Sequence, residues 1–528
     1  MPRILISFLL ALSILGGDPA RVWAADSAPP AVSPITEADL HPKTHTPVSA
    51  GIKDVVEQSV DLILPPLSEE ESADLYDADQ VGLTPECLRV GVVRPVEIDG
   101  PILGKAAYGK FTPLSTGRVW TVRIRSIDAK GLRVHFEGVD LAEGETLVVY
   151  DPASPVSRDA PATGKGPNSD GEFYSPTVFA EEILIEYRFV AETEFPRFRV
   201  TGIVHLAEKP PAPDGEKVDL SCHNDITCYA PSYSYKSGIG RMLFADGQSA
   251  YVCTGALLID TAQTFVRNFL TANHCISTQA VVNTLEVYWL YETPTCNGAP
   301  PSLNSLNKST GGTLRATRGA DVSDFTLILL NSAPGGLVYL GWSADDGFVG
   351  SMVHGIHHPD GSFKRISFGS ITQDFNFAGY DENNYWVVAW NSGATEGGSS
   401  GSPLIVGNGT LIGTLTGGTD PNLYDPCTDG RARDLYGRFS ETYPFIQGYL
   451  NTGSPITATP TRTATRTRTA TPSGTPTRTP TRTQTQTGNP SATPTFASPS
   501  PDNLFRYSRV WQSAGNGPAE LLRILSLN

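Results

Sequence analysis

Beyond its first residues this 528-residue chain has no apolar run long enough to cross a bilayer, no excess of basic charge and no paired C-x2-C knuckles. Crossing the hydrocarbon takes about 20 apolar residues, and the stretch from Ile4 to Leu15 falls short of that. A formal net charge of −16 provides no basic face broad enough to neutralise a phosphate backbone, which excludes nucleic acid as the main partner. The cysteine spacings do not suit a zinc knuckle. Regular helix is scarce as well: between 218 and 450 short strand-like runs dominate until "TYPFIQGYL", so sandwiches or barrels are expected rather than an α/β sheet.

What is present begins with "MPRILISFLLALSILGGDPARVWA", residues 1–24. An early Arg3, an apolar centre and small residues at Ala24 and Ala25 are the layout of a secretory signal peptide, so the product is expected to be exported. In an oxidising compartment the six cysteines between 222 and 427 read as disulfides, and sequence alone leaves fifteen pairings open. Cys87 stands apart and is expected to remain a thiol in a segment that is not retained.

Residues 26–75 are rich in Pro, Ser and acidic residues and read as an exposed, partly flexible lead-in. From Cys87 to Glu208, "RVWTVRIRSI", "LRVHFEGV", "EEILIEYRFV" and "FRVTGIVHL" alternate apolar and polar residues between turn signals, the pattern of an antiparallel β-sandwich. "KPPAPDGEK", Lys209 to Lys217, breaks it as a linker. The expected organisation is therefore a signal segment 1–24, a region 25–217 containing the sandwich, an all-β domain 218–450, a Thr/Pro/Arg-rich linker 451–501 and a terminal segment 502–528, a possible sorting or anchoring signal.

"TEGGSSGSPLI", Thr395 to Ile405, sets three serines among glycines just before an apolar run. A serine hydroxyl attacks a carbonyl usefully only when a base takes its proton, an acid orients that base and donors receive the oxyanion. Candidates for base and acid are His274, at the end of "NFLTANHC", and Asp324, just ahead of the apolar strand in "VSDFTLILL". Taken with "GSSGSP", the order His, Asp, Ser resembles the chymotrypsin-like serine peptidases. "CTGALL" at 253, "TANHC" at 271, "VYWLYETPTC" at 287, "SDFTLILLN" at 323, "GIHHPDGSFKRIS" at 355 and "DLYGRF" at 434 narrow the resemblance to the bacterial lysyl endopeptidases.

The resemblance implies two antiparallel β-barrels of the trypsin-like fold preceded by a β-sandwich propeptide. It implies Ser400, not Ser399 or Ser402, as nucleophile, His274 as base, Asp324 as its orienter, and the N–H groups of Gly398 and Ser400 as the oxyanion hole. The position of the trypsin pocket acid is Ala394; the lysyl endopeptidases take theirs from a later strand, which points to Asp434, with Thr416, Gly417 and Gly418 along the substrate and Asp425 or Asp429 as lesser alternatives. Disulfides Cys222–Cys427, Cys228–Cys296 and Cys253–Cys275 follow from the same match. Thr416 stands where the family has a histidine, no tryptophan counterpart is evident around Phe377 and Ala378, and Ser399 replaces the aspartate with which trypsin captures a new N-terminus. His357 and His358 are expected to be structural; no metal or cofactor is expected, and protein or peptide substrates and a monomer are.

Two other readings compete: a protease of glutamyl specificity, against which the carboxylate at 434 argues, and a sandwich adhesin with an inactive protease-like domain, against which the complete triad argues. A lysyl endopeptidase could release itself after Lys217, giving an N-terminus at Val218, with Lys209 as a second site; C-terminal to Lys217 the only lysines are Lys236, Lys308 and Lys364.

Overall fold

The computed structural model describes residues 26–451 apart from 41–43, 78–86, 192, 208–221, 231, 346, 375–376, 378, 420–426 and 431. The signal segment, the linker with Lys209 and Lys217, Asp425, Ala378, the Thr/Pro/Arg tail and the terminal segment lie outside the described residues. No helix among the described residues is long and apolar enough to cross a membrane.

Alternating apolar residues give each strand one face to bury, and two such faces make a sandwich. Strand Arg118–Ser126 pairs with Lys110–Pro113 and Glu182–Phe189, and Glu182–Phe189 pairs with Thr146–Tyr150. Opposite it, Arg199–Leu206 lies between Leu88–Asp99 and Gly131–Glu137. Trp120, Val122 and Ile124 of the first sheet meet Val134, Phe136 and Ile203 of the second in a single core.

The second domain has two barrels. In the first, the strands run in the order Lys308–Thr310, Glu286–Tyr288, Ile239–Asp246, Ser249–Leu258, Asn268–Thr271, Phe325–Leu330, Gly312–Arg318, and strand pairing leaves it half open. The second closes completely: Thr410–Gly418, Pro403–Val406, Met352–His357, Arg365–Thr372, Tyr385–Ser392 and Asp434–Arg438, the last returning to pair with the first. Closure removes every sheet edge. Helix Phe439–Leu450 lays Phe439, Tyr443, Ile446 and Leu450 into the core, the spacing of one helical face.

Two findings differ from the sequence reading. The lead-in is not free at its start, because Ser27–Ala28 and Ala31–Val32 pair with Gly341–Ser343 and Val338–Tyr339. Gly341 permits this close approach; a Cβ there would come within 2.5 Å of the Ala28 carbonyl oxygen. Nor do the sandwich and the second domain have separate sheets. Strand Leu88–Asp99 also pairs with Ser249–Leu258, joining sandwich strands and first-barrel strands in one eleven-stranded sheet. Polar contacts line the rest of that boundary: the Arg133 guanidinium donates to the Thr284 carbonyl at 2.9 Å, and Lys308 Nζ lies 3.0 Å from both Asp159 and Glu286.

Candidate active site

His274 follows strand Asn268–Thr271, and Asp324 immediately precedes strand Phe325–Leu330. These strands are antiparallel neighbours with Thr271 opposite Thr326, which brings together two residues 50 positions apart. Asp324 is buried, with φ of 49°. Its Oδ1 accepts the His274 backbone N–H at 3.0 Å, and its Oδ2 lies 2.6 Å from His274 Nδ1. A carboxylate there holds the proton on Nδ1 and leaves Nε2 as an acceptor.

Ser400 sits on a loop fastened to both barrels. Thr254 donates its N–H to the Ser400 carbonyl and its hydroxyl to the Gly398 carbonyl, each at 2.8 Å, and the Asp360 N–H donates to the Gly397 carbonyl at 2.7 Å. Gly398 has φ of 89°, and a Cβ on it would lie 2.8 Å from the His358 carbonyl oxygen, so the turn requires glycine. A Cβ on Gly401 would lie 2.2 Å from Thr271 Oγ1, so the loop packs on the strand that leads to His274. Among the described residues, neither the Gly398 nor the Ser400 N–H donates to a protein acceptor, which leaves both donors for an incoming oxygen. The Ser400 hydroxyl makes no hydrogen bond to His274 here, as is common for such pairs without substrate.

Asp434 is buried at the start of its strand, opposite Gly418 and Val388. Its Oδ2 accepts from Trp390 Nε1 at 2.5 Å and from the Thr395 hydroxyl at 2.6 Å. Among the described residues no cation pairs with it, and burial raises its pKa to about 6 against the pull of the Thr395 and Trp390 bonds. A Cβ at Gly418 would meet Asp434 Oδ1 at 2.5 Å, so glycine keeps that approach to the carboxylate open. Gly417 and Gly418 are half-buried, whereas Thr416 is buried at a bulge in the pairing. Asp429 is half-buried, five residues ahead of the start of this strand. Phe377 is buried in a cluster with Tyr385, Val387 and Leu435.

Three disulfides join Cys222–Cys427, Cys228–Cys296 and Cys253–Cys275. His357 lies between Ser399 and Ser367, with its Nδ1 2.8 Å from the first hydroxyl and its Nε2 3.0 Å from the second. His358 is buried with Nδ1 2.9 Å from the Ser362 carbonyl and stacks on Tyr291. Neither takes part in a cluster of metal-ligating groups among the described residues. Ala394 is buried and its carbonyl accepts from Ser367. Ser402 is buried behind the loop.

Sequence reasoning missed Trp390 and Thr395, which hold the Asp434 carboxylate, and the contact of His223 Nε2 with the Glu396 carboxylate at 2.6 Å on the serine loop. It also set Cys87 apart from the site. The thiol instead lies 3.3 Å from the carbonyl oxygen of His274.

Residues 218–437 match the family model for the lysyl endopeptidase C-terminal domain. The lysyl endopeptidase of Pseudomonas aeruginosa is 32% identical over 308 residues, a match spanning 55% of this chain and 65% of that protein. Secreted RxLR effector protein 73 of Plasmopara viticola is 23% identical over 299 residues, spanning 52% of this chain and 71% of its own. Among solved structures, the active form of the Rv3671c protease from M. tuberculosis is 14% identical with a TM-score of 0.30, covering 46% of this chain and 93% of that one. By the family match and the identity to the Pseudomonas protein, the segment 218–437 is similar to the lysyl endopeptidase C-terminal domain.

Proposed function

We propose that the chain is the precursor of an exported serine endopeptidase that hydrolyses peptide bonds on the carboxyl side of lysine. The observation that carries the lysine assignment is the Asp434 carboxylate, buried and without a cation among the described residues, beside a glycine that leaves it accessible. A buried ionised carboxylate is costly alone and is stabilised by a partner charge. A substrate ammonium supplies that charge, and the proton Asp434 holds below about pH 6 is lost as the ammonium enters.

In this reading Ser400 Oγ attacks the scissile carbonyl as His274 Nε2 takes its proton. Asp324 holds the imidazole tautomer and stabilises the imidazolium, from which the proton passes to the leaving amine. The N–H groups of Gly398 and Ser400 receive the oxyanion, each such donor contributing about 2.7–4 kcal/mol. Water then repeats the sequence on the acyl-enzyme. The substrate class comes from the residue ahead of the cut rather than from any cofactor.

Export agrees with the leading segment and with three disulfides in the described part of the chain. In the proposed order of the precursor, 25–217 is the propeptide and 218–450 the catalytic domain, with the tail 451–528 able to remain attached or be removed. The test is digestion of an unbiased peptide library by the processed chain, with cut sites read by mass spectrometry. Lysine directly before the cut, lost in Ser400→Ala, is the expected result. Cutting after acidic or small neutral residues would transfer the assignment to another specificity.

A further inference from the structure

We propose that the strand Leu88–Asp99 occupies the leaving-group side of the substrate cleft and keeps the precursor latent, and that its register marks how that side of a substrate docks. The inference rests on the serine endopeptidase reading above. Val92, Gly91, Arg89 and Leu88 stand opposite Ser249, Ala250, Tyr251 and Val252, antiparallel, with one register shift between Ala250 and Tyr251. The barrel strand continues into Cys253, whose disulfide partner Cys275 follows His274 directly. The pairing therefore ends against the histidine that protonates the leaving amine.

Side chains agree with that placement. The Cys87 thiol donates to the His274 carbonyl at 3.3 Å. Leu88 is 5% exposed and belongs to an apolar cluster with Val252. A Cβ on Gly397, next to the proposed oxyanion-hole residue Gly398, would touch Leu88 at 3.4 Å, and one on Gly361 would touch it at 3.5 Å. The direction is that of a substrate as well. Residue numbers rise from Cys87 beside His274 to Val92 away from it, as the chain following a scissile bond must run when its new amine forms at His274. A peptide strand and this pro-strand cannot pair with Ser249–Val252 together, because each N–H and C=O on that edge serves one partner. The mode is strand addition, in which the main chain gives affinity and alternate side chains give selectivity. Once the edge is vacated, the hollow left by Leu88 accepts an apolar residue from the leaving-group side of a substrate.

The tether is the sandwich itself. Leu88–Asp99 is also paired along its far end with Arg199–Leu206, and Arg133, Thr177 and Asp159 hold the sandwich to Thr284, Glu286 and Lys308. Lifting the strand from the cleft thus requires release of the sandwich.

The experiment compares two forms of the full chain: wild type left to process, and Lys209→Ala/Lys217→Ala, which cannot be cut at either expected site. Activity is measured on a lysyl peptide that extends several residues past the cut. The uncut form should show at most about 1% of the processed form's rate, and adding Leu88→Asp should raise that rate about tenfold or more by placing an unpaired charge in an apolar site. Equal rates for the processed and uncut forms would overturn the proposal. Because Leu88→Asp can also loosen the sandwich, a synthetic peptide with the sequence of residues 87–92, Cys87 replaced by serine, is tested on the processed form. Competitive inhibition against the long substrate, lost when Asp replaces the leucine, is expected; no competition at millimolar peptide overturns the docking register. A processed form without Ser400-dependent hydrolysis would instead sink the endopeptidase reading, so the two failures are told apart.

Discussion

His357 Nδ1 lies 2.8 Å from the hydroxyl of Ser399, the residue directly before the proposed nucleophile. The other ring nitrogen lies 3.0 Å from Ser367 Oγ, which in turn donates to the Ala394 carbonyl at 3.1 Å. Burial holds the His357 pKa well below its usual value, with nearby His223 and Arg365 adding to the effect, so the ring is a neutral strut under the serine loop. Where trypsin needs an ion pair to order this loop, a hydroxyl–imidazole–hydroxyl chain stands ready. His357→Ala should lower kcat roughly 10- to 100-fold with KM little changed, because the hole donors shift while the pocket stays. His357→Gln should recover part of the loss. Steady-state kinetics between pH 7 and 9 check both variants, and the neutral ring adds no break to the wild-type profile in that range.

Ser400→Ala should fold normally and lose peptide hydrolysis by about four orders of magnitude, since triad members act as a unit. Ser402→Ala, behind the loop, should be far milder. Thermal melts of each variant beside wild type separate lost chemistry from lost folding.

Asp434→Asn should abolish most activity on lysyl substrates and spare residual cleavage at neutral residues, as removal of one member of a buried charge pair costs about 3–5 kcal/mol. In the wild type, KM for lysyl substrates should rise about tenfold per pH unit below about 6, where Asp434 holds its proton, while neutral substrates show no such rise. For stability the sign is the reverse of a salt-bridged carboxylate. The folded pKa of about 6 lies above the ordinary 3.8, so stability falls as pH rises from about 4 to 6. Unliganded Asp434→Asn should therefore be more stable than wild type at pH 8 by up to about 3 kcal/mol, read from urea midpoints.

The precursor carrying Ser400→Ala, expressed without other proteases, should accumulate uncut. Lys217→Ala should move processing to Lys209. N-terminal sequencing reads both, and an N-terminus at Val218 in the Ser400→Ala chain excludes self-cleavage.

Much of the site was legible because its signals are local. "TANHC" and "SDF" put His274 and Asp324 at the ends of apolar runs that become paired strands, and Gly398 and Gly401 of "TEGGSSGSP" take positive φ, a backbone that other residues rarely adopt. What stayed hidden depends on which strands lie side by side. Trp390 reaches Asp434 across 44 residues because their strands pair in a closed barrel, a relation absent from any spacing. Cys87 was set aside because a thiol outside the cysteine cluster carries no clue to a neighbour 187 residues away. Alternation pointed to a sandwich between Cys87 and Glu208 but did not single out Leu88–Asp99, nor could it say that this strand would serve two domains.

That shared strand bears on how the proposed enzyme would age. The first barrel is half open, and the edge Ser249–Val252 is completed by a segment that the proposed maturation would remove. Long-range strand pairing is the slow part of folding, and here the sandwich presents the missing strand already aligned. After release, the processed chain keeps its shape through the height of its unfolding barrier and no longer carries the guide that lowered the folding one. Diluted from urea with its disulfides intact, the Lys209→Ala/Lys217→Ala precursor should regain its native spectrum, and the processed chain should regain little unless sandwich is supplied. On that outcome each molecule would be shaped once, with its lifetime set by a rate.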